Sequence, residues 1–124
     1  MDSPRLKRIY DPPDGADGHR VLVDRLWPRG VSKAEAGLAE WAKDAAPTDA
    51  LRKWYHAGAG DWPEFRRRYL RELAQNPGAT DALLARLRAG ETVTLLYASR
   101  DESQNHALVL AEHLRDRLSA PERG

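Results

Sequence analysis

Val21-Leu22-Val23-Asp24-Arg25-Leu26-Trp27-Pro28-Arg29-Gly30 passes from three apolar residues into a carboxylate, two guanidinium groups and an indole within ten positions. Three consecutive apolar residues fit a strand covered on both faces, as in a parallel sheet. The abrupt change to charge fits a strand that delivers side chains to a sheet edge. A second break of this kind follows Val93-Thr94-Leu95-Leu96-Tyr97-Ala98, where the chain continues as Ser99-Arg100-Asp101. Ligands of open α/β sheets bind beyond the carboxyl ends of the strands, so both clusters are expected at one crevice. About 75 residues separate Asp24 from Ser99 along the chain.

Between the two runs the periodicity is helical. Asp61-Trp62-Pro63-Glu64 has a capping aspartate, a proline in the first turn and an acid at the third helical position. Trp62, Phe65, Tyr69 and Leu73 then recur at intervals of three or four, with Asn76-Pro77-Gly78 as the stop. Thr48 caps a helix through Leu51, Trp54 and Tyr55. Thr80 or Asp81 opens another, with Leu83, Leu84 and Leu87 inward and Gly90 as its left-handed cap. A last helix is expected from Ser103, with Ala107, Leu110, Ala111, Leu114 and Leu118 on one face. Ser32 caps a short helix, with Glu35 in the capping-box position. Residues 6–10 alternate as a strand, and the Pro- and Gly-rich residues 11–18 predict a mobile loop behind it. Residues 38–44 fit a helix or a strand.

Apolar strands alternating with helices predict an α/β fold: a small, mostly parallel sheet of about four strands with helices on both faces. With 124 residues the chain fits one such domain, its extremes at 1–4 and 119–124 frayed.

Composition narrows the chemistry. The formal charge of +1 supplies no global field for nucleic acid or anionic membranes, so an anion site has to be local. The absence of cysteine excludes disulfides, thiolate metal ligation and a cysteine nucleophile. No secretory leader and no run of about 18 apolar residues is present, which predicts a cytoplasmic protein without membrane contact.

The two strand ends supply the candidate site. Asp24 and His106 form a candidate acid–base pair, Asn105 an orienting donor, and Arg25, Arg29 and Arg100 a cradle for an anion. Trp27 and Trp54 are candidate stacking surfaces. Asp24 and Arg25 could equally be a structural ion pair, and Asp101 and Ser103 simple helix caps. Ser99, His106 and Asp24 could form a triad, since triads are geometric rather than sequential, but no nucleophile-elbow, phosphate-loop or dinucleotide glycine pattern accompanies them. The four histidines lack zinc-like spacing, and a hard cation between Asp24 and Asp101 has no further ligand in view, so no cofactor is specified. Arg66-Arg67-Arg68 and Arg71 form a basic face that could touch nucleic acid; pairing of Glu64 with Arg68 and of Arg68 with Glu72 would leave it merely solvated.

A family resemblance rests on Lys7-Arg8-Ile9-Tyr10-Asp11-Pro12-Pro13, on Arg20 to Gly30 and on Ala46-Pro47-Thr48 with Leu51-Arg52-Lys53-Trp54. It extends through Trp62-Pro63-Glu64-Phe65, Tyr69 and Glu72-Leu73 to Leu95-Leu96-Tyr97-Ala98, Asp101 and Asn105-His106-Ala107. Together these resemble the YeaO-like branch of the domain of unknown function 488 family, a family with no firmly established activity. The resemblance implies a strand at 38–44, with Lys43 and Asp44 at its site-facing end. It also implies a Cys-His-Arg motif at the start of the last helix in other members, where this chain has Asn105-His106-Ala107. The expected function is a pocket for an anionic small molecule such as a nucleotide or phosphometabolite, with hydrolase or transferase chemistry. The alternative is a non-catalytic module that binds nucleic acid or protein.

Overall fold

The computed structural model describes residues 3–58 and 60–120. Four parallel strands form the sheet: β1 (Arg5–Arg8), β2 (His19–Leu22), β3 (Glu40–Trp41) and β4 (Val93–Tyr97), in the order β1-β4-β2-β3. The last strand of the chain therefore lies between the first two. Among the described residues five helices accompany them: α1 (Lys33–Ala36), α2 (Asp49–His56), α3 (Trp62–Gln75), α4 (Asp81–Arg88) and α5 (His106–Ser119).

Alternation along β2 and β4 sorts the core. Val21, Val23, Val93, Leu95 and Tyr97 pack with apolar residues of α2 to α5 in the main core, and Leu22, Leu96 and Ile9 turn to the other face. Each large aliphatic side chain buried in this way contributes about 1.5–3 kcal/mol. The two faces are not covered alike. On the second face stand the single turn of α1 and the loop around Trp27, Val31 and Leu38, so the expectation of helices on both faces holds only through that one turn.

Buried polar anchors complete the second face. Arg20 donates to the carbonyls of Ala36 and Gly37 and pairs with Asp17, which also accepts from Lys7. Thr94 Oγ1 donates to the Asp17 carbonyl. The segment expected as a mobile loop thus holds a 3-10 turn, Gly15–Asp17, closed by an Asp14 capping box and pinned under the sheet. Burial pushes the Asp17 carboxyl up, but hydrogen bonds from Lys7, the Asp14 N–H and Arg20 outweigh it and bring it below the usual value.

Several boundaries differ from expectation, beginning with the first strand, which is Arg5–Arg8 rather than residues 6–10. β3 is only Glu40–Trp41, because its ladder with β2 is short and the chain turns at once into a 3-10 turn, Lys43–Ala45. α4 opens at Asp81 as expected, but a 3-10 turn, Pro77–Thr80, leads into it, and Thr80 Oγ1 donates to the Pro77 carbonyl without capping the helix. α5 begins at His106 rather than near Ser103, because Asn105 is its cap. The frayed ends expected at 1–4 and 119–124 fall mostly on residues outside those described; Pro4 is buried and Ser119 closes α5.

Candidate functional site

Register brings the two charged strand ends together. Leu22 is level with Leu96, so Asp24 and Ala98 emerge side by side, and Asp24 Oδ2 accepts the Ala98 N–H at 3.1 Å. Arg8 of β1 holds the far side of this edge, its Nε donating to the Ser99 carbonyl at 2.9 Å.

The loop from β4 to α5 is wound by its own polar side chains. Asp101 Oδ1 accepts from the N–H groups of Ser103 and Gln104. Asn105 is buried; its Oδ1 accepts the Leu108 N–H at 3.0 Å and its Nδ2 donates to the Asp101 carbonyl at 2.8 Å. That cap places His106 first in the helix, with Nε2 2.8 Å from Asp24 Oδ1. The approach is close but poorly aligned, and both atoms are buried without a well-formed hydrogen bond.

These residues line a cleft of about 500 Å³ that also includes Arg25, Leu26, Trp27, Arg29, Ser99 and Arg100. Its remaining wall comes from Arg52, Tyr55 and His56 of α2 and Trp62 and Phe65 of α3. The start of α2 is held firmly. Tyr69 Oη donates to the Ala45 carbonyl at 2.6 Å, and Arg25 donates to the Ala46 and Pro47 carbonyls at 3.4 and 2.9 Å. Glu72 accepts from both the N–H and the hydroxyl of Thr48. Burial pushes the Tyr69 phenol above the usual tyrosine range, with Glu72 adding to the shift, so it stays a donor.

Asp24, His106, Asn105, Arg25, Trp27, Arg29 and Arg100 all line the cleft. Their duties differ. Asn105 is engaged as the helix cap, and Arg25 is tied to the 46–47 carbonyls rather than paired with Asp24. Trp27 donates to the Val31 carbonyl and packs edge-on against Trp41. Arg29 and Arg100 are exposed, with no ion pair among the described residues.

Lys43, Trp54 and Asp101 lie off the lining. Lys43 sits over the Trp41 ring, Trp54 under the Arg68 guanidinium, and Asp101 in the turn that leads to α5. Asp44 lines a different hollow beside Arg25 and Glu72. With its carboxylate turned to backbone N–H groups, Asp101 forms no cation site with Asp24; among the described residues no group of three or more His, Asp or Glu is placed to hold a metal. Ser99 lines the cleft, its Oγ accepting the Asp101 N–H.

The α2 and α3 wall was not anticipated. Its only trace in the sequence is the spacing of Arg52, Tyr55 and His56, which shares one helix face. The basic face of α3 is laced by ion pairs: Arg66 with Glu112 of α5, and Arg67 and Arg68 with Glu64. Glu72 turns to Thr48 and not to Arg68.

A family model described as the inactive DUF488-N3 subclade matches residues 4–124. The chain belongs to the domain of unknown function 488 family. Among its relatives in the family, the uncharacterized protein YeaO of Escherichia coli is 48% identical over 111 residues, 90% of this chain and 96% of that protein. The uncharacterized proteins Mb3100c of Mycobacterium bovis and Rv3073c of Mycobacterium tuberculosis are each 42% identical over 113 residues, 91% of this chain and 94% of theirs. No solved structure matches the chain. No helix among the described residues is long and apolar enough to cross a membrane.

Proposed function

We propose that the cleft beyond β2 and β4 binds a small anionic molecule and holds it without chemical turnover. The observation that carries this reading is a concentration of unsatisfied polarity. Of the four buried side-chain polar atoms without a well-formed hydrogen bond among the described residues, three belong to residues that line this cleft: Asp24 Oδ1, His106 Nε2 and Arg52 Nε. Asp24 Oδ1 and His106 Nε2 face each other at 2.8 Å, so what the cleft leaves for a partner is Arg52 Nε together with the exposed guanidinium groups of Arg29 and Arg100. The charge balance favours an anion, since four arginines and one carboxylate line the cleft and, among the described residues, Arg29 and Arg100 have no ion pair.

Binding rather than reaction is supported by what stands beside the histidine. Asn105 precedes His106, its amide oxygen and nitrogen both committed to backbone, and the chain has no thiol. The description of the matching family model as inactive agrees with a retained pocket and lost chemistry.

A thermal-shift screen of wild type and Arg100→Ala against phosphorylated small molecules tests this. A ligand at 100 times its dissociation constant raises stability by about 2.7 kcal/mol. Wild type is expected to be stabilised, and an equally well folded Arg100→Ala protein less so. Silence of wild type across the screen would overturn the reading. Turnover of a hit that disappears in His106→Ala would make Asp24 and His106 a catalytic pair instead.

A further inference from the structure

We infer that the molecule held in this cleft is a mononucleotide, its base laid against an aromatic wall and its phosphate on the arginines; this rests on the anion-binding role proposed above. Three rings form that wall. Phe65 is 4% exposed and serves as its backing. Tyr55 stacks on it at 4.5 Å with 28° between the planes, and Trp62 stacks on it at 5.6 Å and 23°. Tyr55 and Trp62 are half-buried, so each combines a packed body with remaining accessible surface in the cleft.

Rings held in this way are an ordered platform for another planar ring, and stacking of this kind is indifferent to which base is presented because every base has a π-face. The cations are close at hand. Arg52, with its unsatisfied Nε, is three residues before Tyr55 on α2 and therefore adjacent on the helix surface. Arg29 and Arg100 reach the same hollow from the loops after β2 and β4.

Size and polarity agree. At about 500 Å³ the cleft is within the range of clefts that take whole small ligands, and a bare phosphate would leave most of it unfilled. A sugar phosphate could engage the arginines but has no planar aromatic ring to stack on Tyr55 and Trp62.

Calorimetry on the full chain with adenosine 5′-monophosphate, ribose 5-phosphate and inorganic phosphate separates the two levels of the inference. The nucleotide is expected to bind at least about tenfold more tightly than ribose 5-phosphate, in keeping with measured base–aromatic stacking. Trp62→Ala and Tyr55→Ala should each erode that preference while leaving ribose 5-phosphate affinity unchanged, and Trp62→Phe should keep it. Equal affinity for the two phosphates, both lost in Arg100→Ala, would leave the anion cleft standing and overturn the base. Absence of binding by all three probes would overturn both. Thermal unfolding of each variant checks its fold, and if Trp62→Ala does not fold the wild-type preference decides alone.

Discussion

His106 Nε2 stands 2.8 Å from Asp24 Oδ1, joining the first residue of α5 to the end of β2. The other carboxylate oxygen of Asp24 takes the Ala98 N–H, so one side chain binds two neighbouring strand ends and a helix. Asp24→Ala is expected to destabilise the fold by about 1–3 kcal/mol, because it leaves the part-buried Ala98 N–H without its acceptor and removes the carboxylate that faces the buried His106 Nε2. Asp24→Asn keeps an oxygen for Ala98 and should be milder. Urea titration of both variants with His106→Ala completes a double-mutant cycle, in which a coupling below about 0.5 kcal/mol would show that the two groups do not act together.

Arg25 does a different job from the one its position suggests. Its bonds to the Ala46 and Pro47 carbonyls tie the end of β2 to the start of α2, and hence to Arg52 and Tyr55. Arg25→Ala should lower stability by about 1–3 kcal/mol, with Arg25→Lys in between, since an ammonium cannot hold two carbonyls in one fork. Hydrogen exchange at the Ala45 and Ala46 amides should quicken first. Unchanged protection there would count against the tether.

Acid stability should depend on Asp17. Its carboxyl is held below the ordinary 3.8, because hydrogen bonds from Lys7, the Asp14 N–H and Arg20 outweigh the upward push of burial. A depressed carboxyl contributes stability that is fully present above the unfolded value and is lost as pH falls from there through the folded value. Acid unfolding of wild type is therefore expected to steepen below about pH 4, and Asp17→Asn to flatten that limb while lowering stability at neutral pH. Parallel curves for the two proteins below pH 4 would rule this out.

Gly18 permits the close passage of the 15–18 turn beneath β4. Its φ is 65°, and a Cβ there would lie 2.4 Å from the Thr92 carbonyl oxygen, which accepts the His19 N–H. Gly18→Ala has to move backbone and break that bond, so a loss of roughly 2 kcal/mol or more is expected in chemical denaturation. A neutral result would mean that the turn can shift as a unit.

The basic face of α3 should be inert toward nucleic acid. Hydrogen bonds from Arg67 and Arg68 hold the Glu64 carboxyl down to about 2, and Arg66 is engaged with Glu112. Reversing Arg66, Arg67 and Arg71 to Glu is expected to leave any residual DNA or RNA binding unchanged in a salt titration. A clear loss of a salt-sensitive complex would revive the interaction-module alternative.

Much of the fold is written in local pattern. The apolar runs at 21–23 and 93–97 and the Trp62, Phe65, Tyr69 and Leu73 spacing announce buried strands and an amphipathic helix, because burial imposes periods of two and of about 3.6 on any chain. The strand-end location of Asp24 and Ser99 follows from the same pattern. What the sequence left open is which elements become neighbours. Insertion of β4 between β1 and β2 puts Asp24 against Ala98, a long-range register that no local window encodes. Two good caps, Asp101 and Asn105, compete for the start of α5, and burial of the Asn105 amide against the Asp101 carbonyl settles the choice. β3 shrinks to Glu40–Trp41 because an edge strand keeps only the ladder bonds its one neighbour offers. The aromatic wall and Arg52 enter the cleft because Arg25, Tyr69 and Glu72 hold the start of α2, so tertiary hydrogen bonds choose which face of that helix meets the sheet edge.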